Sequence, residues 1–269
     1  MFDLNNFVID RIVRGVALSQ KDDSVLFSIN QIQNASLNCA SESTDAVDAL
    51  GTPIATFYRA KTAEFSAENA LFDMNLMATQ LGTAKRVAGT EGAAKIVVPA
   101  MESFTVEEGL KYTLKHKAVA APAEIYALND DSTFGIQYKK TEGTNPTATT
   151  FVYTDANNTI SLPTGLKVGT EMFVMYEYES ENAVEVVNSA KNFPVGCKFI
   201  MEVLGCDVCD QTNLIYAYVI FNNFKLSPDF DWSIATDGAH PFSGKAQQDY
   251  CDREKRLFSI VIPGDETEE

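Results

Sequence analysis

Apolar and polar residues alternate along most of this chain, and that pattern predicts β-strands. In residues 24–32, Val25, Phe27 and Ile29 fall on one face, which is the two-residue period of a strand with one buried side. Residues 53–65 alternate over a greater length, and one face carries two aromatic and two basic side chains: Phe57, Arg59, Lys61 and Phe65. Because this long strand has two mixed faces, we expect one face to meet a neighbouring subunit or a channel.

One segment has the periodicity of a helix. Apolar residues recur at helical spacing across residues 66–82: Ala70, Met74, Met77 and Leu81. Ser66 is suited to cap the N-terminus, and Gly82 stands where a glycine commonly ends a helix. The pattern predicts a single helix over residues 66–82, with its apolar stripe packed on a sheet.

The stretch SLNCASESTDAVDALGTPIATFYRAKTAEFS, residues 36–66, contains small, polar and acidic residues between two predicted strands. Its middle, residues 42–51, is too long for a tight hairpin turn and has no apolar face of its own. We therefore predict an extended loop over residues 42–53 that is completed by contact with another subunit.

Turn-forming clusters divide the chain into a core and an insertion. Residues 103–187 alternate short apolar segments with turns such as NDDSTFG and LPTGLKVG, which predicts an inserted or outer β-rich region. Longer strand patterns flank it. The predicted fold class is mainly β, namely a β-sandwich formed by residues 1–102 and 188–269 with one flanking α-helix.

Composition limits the classes of partner. The chain of 269 residues is 45% hydrophobic and 22% charged, with a formal net charge of -16. That balance disfavours a surface that grips nucleic acid, because binding requires cations that replace phosphate counterions. The longest apolar run, residues 214–221, is too short to span a bilayer, and the N-terminus lacks the pattern of a signal peptide. We expect a soluble protein made in a cytoplasm, without a membrane partner.

Two groups of residues raise the alternative of an enzyme or a metal protein. Cys206 and Cys209 form a CxxC pair, which is half of a zinc site or a redox pair. No second pair accompanies them, and they fall between two predicted strands, so thiols in a hairpin turn are the favoured interpretation. His240 lies near Asp237 and Ser243, but the local sequence is typical of a turn. The sequence predicts neither an enzyme nor a cofactor or metal.

Three stretches together resemble one family, the major tail (tail tube) proteins of long-tailed bacteriophages. The first, DALGTPIATFYRAKTAEFSAENALFDMNLMATQLGT, runs from the polar segment through a strand into a single helix. The second is TGLKVGTEMFVMYEYESENAV, and the third is NFKLSPDFDWSIATDGAHPFSGKA. The likeness covers most of the chain as an arrangement of elements. It depends on the order of the predicted elements and on short similar stretches of sequence, because no invariant motif is present.

The resemblance implies a virion structural protein that assembles into stacked, hexameric rings around a lumen for DNA. Residues 37–43 and 54–65 would then contribute to an inner barrel. The implied inter-ring loop residues are Glu42, Thr44, Asp45, Asp48, Leu50 and Gly51. The implied acidic residues at the lumen or an interface are Glu42, Asp45, Asp48 and Glu64.

The implied partners are further copies of the chain, tape-measure, baseplate or tail-terminator proteins, and genomic DNA that passes without specific binding. The implied location is the virion tail, after assembly in the host bacterial cytoplasm. Two alternatives stay open at this point. One is another phage structural subunit, such as a sheath, decoration or baseplate protein, and the other is a β-sandwich binding or adhesion module.

Overall fold

A computed structural model describes residues 6–91, 94–250 and 253–264 of the chain. The fold is mainly β, with 55% strand, 4% helix and a single α-helix in the described residues, which confirms the predicted class. The chain divides into two compact units. The first contains residues 1–85 and 186–269, and the second contains residues 86–185.

The strands and helices have the following bounds in chain order: β1 (Phe7–Ser19), β2 (Val25–Ile29), β3 (Ile32–Val47), β4 (Pro53–Asn69), α1 (Met74–Gln80), β5 (Arg86–Val87), β6 (Ile96–Thr105), β7 (Lys111–Thr113), β8 (Glu124–Leu128), β9 (Phe134–Lys140), β10 (Thr150–Thr154), a 3-10 turn (Asp155–Asn157), β11 (Thr159–Ser161), β12 (Glu171–Ser180), β13 (Val184–Glu185), β14 (Gly196–Asp207), β15 (Asp210–Leu226), β16 (His240–Ala246) and β17 (Ser259–Val261).

The described strands of the first unit form one sheet in the order β2-β1-β14-β15-β16-β4-β3, with β17 added to β15. Phenylalanines fill its core, and the ring centroids of Phe65 on β4 and Phe199 on β14 lie 5.7 Å apart. In a flat sheet, strands three positions apart would be separated by roughly 14 Å. The sheet therefore bends over its own core, and this closure brings Phe27 of β2 within 6.1 Å of Phe199 as well.

The single helix is shorter than predicted and begins later. Residues 66–69 continue β4, where Ser66 pairs with Ser36 on one side and with Ser243 on the other. The prediction that Ser66 caps the helix is therefore wrong, because ladder hydrogen bonds on both sides hold this segment in the sheet. Asp73 caps α1 instead, since its Oδ1 accepts hydrogen bonds from the backbone N–H groups of Asn75 and Leu76.

The predicted loop over residues 42–53 is mostly strand. β3 continues to Val47 and β4 begins at Pro53, so the two strands form a long hairpin closed by a turn over residues 48–52. Small and polar residues concealed this ladder in the sequence, because the strands have no buried face at this point to produce an apolar period.

A β-bulge also changes the predicted faces of β4. Ala40 pairs with Thr62, whereas Glu42 pairs with Arg59, so β4 contains one additional residue at Ala60, whose φ is 48°. Paired residues point to the same side of a sheet and alternate along it. Phe57 and Arg59 therefore lie on the face opposite Phe65, and the prediction that these residues share a face is wrong.

The second unit begins at Arg86, before the predicted insertion at residue 103. β6 belongs to it because β6 pairs with β12 from Ile96 to Thr105. The described strands form a sheet in the order β6-β12-β8-β9-β10-β11-β7, and a separate pair joins β5 to β13. Phe151, Ile160 and Met172 are fully buried in its core.

One buried carboxylate organises the interior of the second unit. Glu102 is 4% exposed, and it accepts hydrogen bonds from the hydroxyls of Tyr112 and Tyr176 and from the backbone N–H of Lys115. Burial and the adjacent carboxylate raise the pKa of both tyrosines. These donors satisfy the hydrogen-bonding capacity of the buried carboxylate. Its hydrogen bonds link the loop after β7 to β6 and β12.

Replacing Gly82 tests the packing that ends α1. Gly82 has a φ of 65°, and a Cβ there would lie 2.2 Å from the backbone of Phe193. Gly51 also has a positive φ, 83°, but nothing lies within 4 Å of its Cβ position. Both Gly→Ala variants strain the backbone by about 1–2 kcal/mol, and Gly82→Ala adds overpacking of about 1–3 kcal/mol. Urea unfolding should show that Gly82→Ala is the less stable variant; equal stabilities would contradict this account.

Candidate assembly surfaces

The distal part of the β3–β4 hairpin lies entirely in solvent. We define the arm as residues 40–62, which begin and end at the Ala40–Thr62 pair. Every residue of the arm is exposed, and the next residue on β4, Ala63, is only 1% exposed. The boundary between the core and the arm is therefore sharp, and the arm projects as a two-stranded ribbon.

Asp48 shapes the tip of the arm. Its Oδ1 accepts hydrogen bonds from the backbone N–H groups of Leu50 and Thr52 at 2.8 and 2.9 Å, and these hydrogen bonds lower the pKa of the carboxyl group. The backbone N–H of Gly51 donates to the carbonyl of Asp48 at 3.1 Å. The turn is therefore well defined, and the positive φ at Gly51 explains the presence of glycine.

The arm also carries large apolar side chains, which the sequence analysis did not identify as a surface. Their exposed fractions exceed one half in every case: Val47 55%, Leu50 91%, Ile54 72%, Phe57 54% and Tyr58 71%. A two-stranded ribbon without a covering layer is only marginally stable in water. A concentration of exposed apolar groups on such a ribbon is typical of a surface that another protein covers.

The predicted acidic residues are distributed along the hairpin and do not form one cluster. Glu42 is paired in register with Arg59, and Asp45 is paired with Thr56 on the other face. Asp48 lies in the turn. Glu64 lies beyond the arm on β4, where its carboxylate forms an ion pair with the ammonium group of Lys245 on β16 at 2.7 Å.

The other predicted loop residues are all exposed. Thr44 pairs with Phe57 on the shaft of the arm, whereas Leu50 and Gly51 lie in the turn. The predicted inter-ring residues therefore fall on one continuous ribbon.

A second exposed apolar surface lies at the end of β1, β14 and β15. Val8 pairs with Cys206, and Cys206 pairs with Leu214, so these side chains share a face. Val8 is 48% exposed and Leu214 is 50% exposed, and Tyr216 is 46% exposed on the same face of β15. These exposed positions fall at the start of the apolar run over residues 214–221, where composition alone does not distinguish a half-exposed strand end from a buried one.

The cysteines occupy structural positions. Cys206 lies near the end of β14, and Cys209 lies in the hairpin turn that joins β14 to β15, as predicted. The described residues contain no group of three or more potential metal ligands. Cys197 is buried, its thiol donates to the carbonyl of Phe224 at 3.3 Å, and burial raises its pKa to about 12. Cys39 is exposed, and Cys251 lies outside the described residues.

His240 joins the sheet to α1 and has no access to solvent. Its Nδ1 accepts a hydrogen bond from the backbone N–H of Asp73 at 3.4 Å. The ring proton is therefore on Nε2, which donates to Oε1 of Gln80 at 2.8 Å. Gln80 in turn donates to the carbonyl of Pro241 at 3.2 Å. Burial lowers the pKa of His240. These contacts explain the histidine as an anchor for the helix.

Within the described part of the chain, no helix has the length and apolar character required to cross a membrane.

The pH dependence of stability tests the anchor at His240. Because the folded pKa is below the ordinary value of 6.5, the unfolded chain binds more protons as the pH falls through 6.5. His240 therefore adds a loss of unfolding free energy that begins near pH 6.5 and levels off below the folded pKa. His240→Gln removes this contribution, so the stability difference between the two proteins should narrow as the pH falls. Urea denaturation from pH 7.5 to pH 5 measures the difference; a constant gap would contradict the assignment.

Comparison with known proteins identifies the family. A search among curated proteins found no match. The model of the YomU/Tube protein family matches residues 7–258, which include both the arm and the second unit. This match confirms the resemblance to phage tail tube proteins and favours a structural role over an enzymatic one. The chain belongs to the YomU/Tube protein family and is a phage tail tube structural protein.

Proposed function

We propose that this protein assembles with itself into stacked, hexameric rings, and that the rings form the tail tube through which phage DNA passes. The proposal extends the family assignment to a specific architecture. The observation that carries it is the arm, a long ribbon in which all residues are exposed although several are large and apolar. Such a ribbon acquires a covering layer only from another chain.

Open strand edges support lateral assembly. β2 and β3 are the two ends of the sheet in the first unit, and each has a second side without a partner strand among the described residues. Within the described part of the chain, residues 210 and 214–217 of β15 pair with β14 alone, since β17 and β16 pair with later residues. Exposed edges invite pairing with another chain, and closure into a ring satisfies them.

The charge of the chain supports passage of DNA without binding. The net charge of -16 per subunit repels phosphate and offers few cations for counterion release. Glu42, Asp45, Asp48 and Glu64 stay our candidates for negative charge at the lumen or at an interface. Of these, Glu64 contributes least to a repulsive wall, because it is paired with Lys245.

The arm residues Glu42, Thr44, Asp45, Asp48, Leu50 and Gly51 are assigned in this proposal to contacts between successive rings. At its ends the tube would contact tape-measure, baseplate or tail-terminator proteins, after assembly in the host bacterial cytoplasm. The family match favours this tube role over a sheath, decoration or baseplate subunit and over an adhesion module.

Shortening the arm tests the proposal. A variant in which Asn-Gly replaces residues 44–57 joins the Ser43–Tyr58 pair by a two-residue hairpin turn. It removes the distal ribbon without disturbing the core, so its melting temperature should stay close to that of the wild type. In negative-stain electron microscopy, we expect rings or tubes from the wild type and no tubes from the shortened variant.

The matched control replaces Phe57 alone with Ser, which leaves the ribbon intact but removes one exposed apolar group. This variant should form fewer tubes than the wild type and more than the shortened variant. Normal tubes from the shortened variant would refute the role of the arm, and scattered monomers from the wild type would refute self-assembly.

Salt should promote assembly of the wild type. Subunits that each carry a charge of -16 repel one another, and the Debye length falls from about 30 Å at 0.01 M to about 10 Å at 0.1 M ionic strength. Light scattering of the purified protein should therefore show more assembly as salt rises through this range. Assembly that weakens over the same range would show that net repulsion does not limit it.

A further inference from the structure

A groove lies where the arm joins the body. Two adjoining cavities of about 290 and 460 Å3 share Lys61, Thr62, Ala63 and Leu257, and together we call them the root groove. The smaller cavity is also lined by Cys39 and Phe258. All of these residues belong to the first unit.

The two sides of the root groove differ in character. The larger cavity is lined by three lysines and one acid: Lys61, Lys245, Lys255 and Glu64. The acid is paired with Lys245 at 2.7 Å, whereas Lys61 has no ion-pair partner among the described residues. The smaller cavity has an apolar wall formed by Leu257 and Phe258. The groove therefore offers an excess of positive charge beside an apolar surface, in a chain that is strongly acidic overall.

The tip of the arm has the complementary character. We define the tip as residues 45–56, which contain Asp45 and Asp48 and no Lys or Arg. Leu50, at its extremity, is 91% exposed. Asp48 uses Oδ1 for the turn, so its Oδ2 can face a cation. The tip thus presents two negative charges next to exposed apolar side chains, of which Leu50 is the most exposed.

We propose that the tip of one copy docks into the root groove of another copy. Asp45 and Asp48 face the lysines, and Leu50 packs against Leu257 and Phe258. The inference names the receiving surface for the arm and depends on the proposed self-assembly of this chain.

The tip cannot reach the groove of its own chain while the hairpin is straight. Seven residue steps on β3 separate Ala40 from Val47, which corresponds to roughly 23 Å of extended strand. Because tip and groove are different surfaces, their contact is heterologous, and each copy keeps one free tip and one free groove. Repetition of this contact generates an open-ended series of copies when the rotation between successive copies does not close into a ring, and such a series is the property that a growing tube requires.

Charge reversal tests the complementarity. The tip variant combines Asp45→Lys with Asp48→Asn, which retains an amide oxygen for the turn. The groove variant combines Lys61→Glu with Lys255→Glu, which leaves the Lys245–Glu64 pair intact. Like charges brought together at an interface are strongly unfavourable, so each variant alone should assemble roughly tenfold less than the wild type at low salt.

A chain that carries both sets of substitutions restores opposite charges and should regain most of the lost assembly. An equimolar mixture of the two single-surface variants should co-assemble for the same reason. Sedimentation measures the assembled fraction of the combined variant and of the mixture. The excess of assembly in these samples over the tip variant or the groove variant alone should diminish at 1 M salt, where the Debye length is about 3 Å. A combined variant as defective as the tip and groove variants would overturn the charge pairing.

Site-specific crosslinking separates the inference from the proposed function. One copy carries Leu50→Cys and Cys39→Ser, the other retains its natural Cys39, and both carry Cys206→Ser and Cys209→Ser. A short bismaleimide should join position 50 of the first copy to Cys39 of the second, as identified by mass spectrometry. Moving the introduced cysteine to the shaft, with Thr44→Cys in place of Leu50→Cys, should reduce this product.

The outcomes distinguish the two ideas. A crosslink in linear oligomers without rings or tubes supports the docking and refutes the tube architecture. Tubes without the crosslink overturn the docking and leave the tube architecture standing. Absence of both overturns both.

Discussion

The pairing of β3 with β4 continues far beyond the last buried residue, and this ladder is the constraint on which the rest of the account depends. Its inner backbone groups are satisfied by cross-strand hydrogen bonds, but both faces and the outer edge of β3 stay in water. No hydrophobic burial within the chain compensates for ordering this segment. Exposed groups such as Leu50 and Tyr58 add apolar surface that only another chain covers. A ribbon of this kind is an element whose stabilisation is completed by assembly.

The body of the first unit holds the base of that ribbon in place. Phe65 contacts the aromatic rings of Phe199, Phe221 and Phe242 at centroid distances of 5.7 to 5.9 Å, and it lies on β4 just after the arm ends. Below it, His240 and Gln80 join the sheet to α1 through buried hydrogen bonds. The rigid core therefore fixes where the arm begins, and the bulge at Ala60 determines which side chains face each way beyond that point.

The sequence predicted the class of fold well and the local geometry of the candidate surface less well. Alternation identified strands because most of them have one buried face, and Gly82 marked the end of the helix because its positive φ favours glycine. The start of the helix was misplaced because Ser66 resembles a cap, whereas pairing with β3 and β16 keeps it in the sheet. The sequence of the arm resembles a loop because strands exposed on both faces lack an apolar period. The root groove could not be foreseen, since Lys61 is distant in sequence from Lys245 and Lys255 and lines one cavity with them only through the sheet topology.

Hydrogen–deuterium exchange across residues 40–62, compared between the unassembled chain and assembled particles, tests the central claim most directly. The account predicts fast exchange of the arm in the unassembled chain, protection of the same amides after assembly, and slow exchange of the core strand β14 in both states. Strong protection of the arm in the isolated chain would show that it is stable without a partner. Fast exchange in the assembled particles would show that no other subunit covers it, and either result would contradict the account.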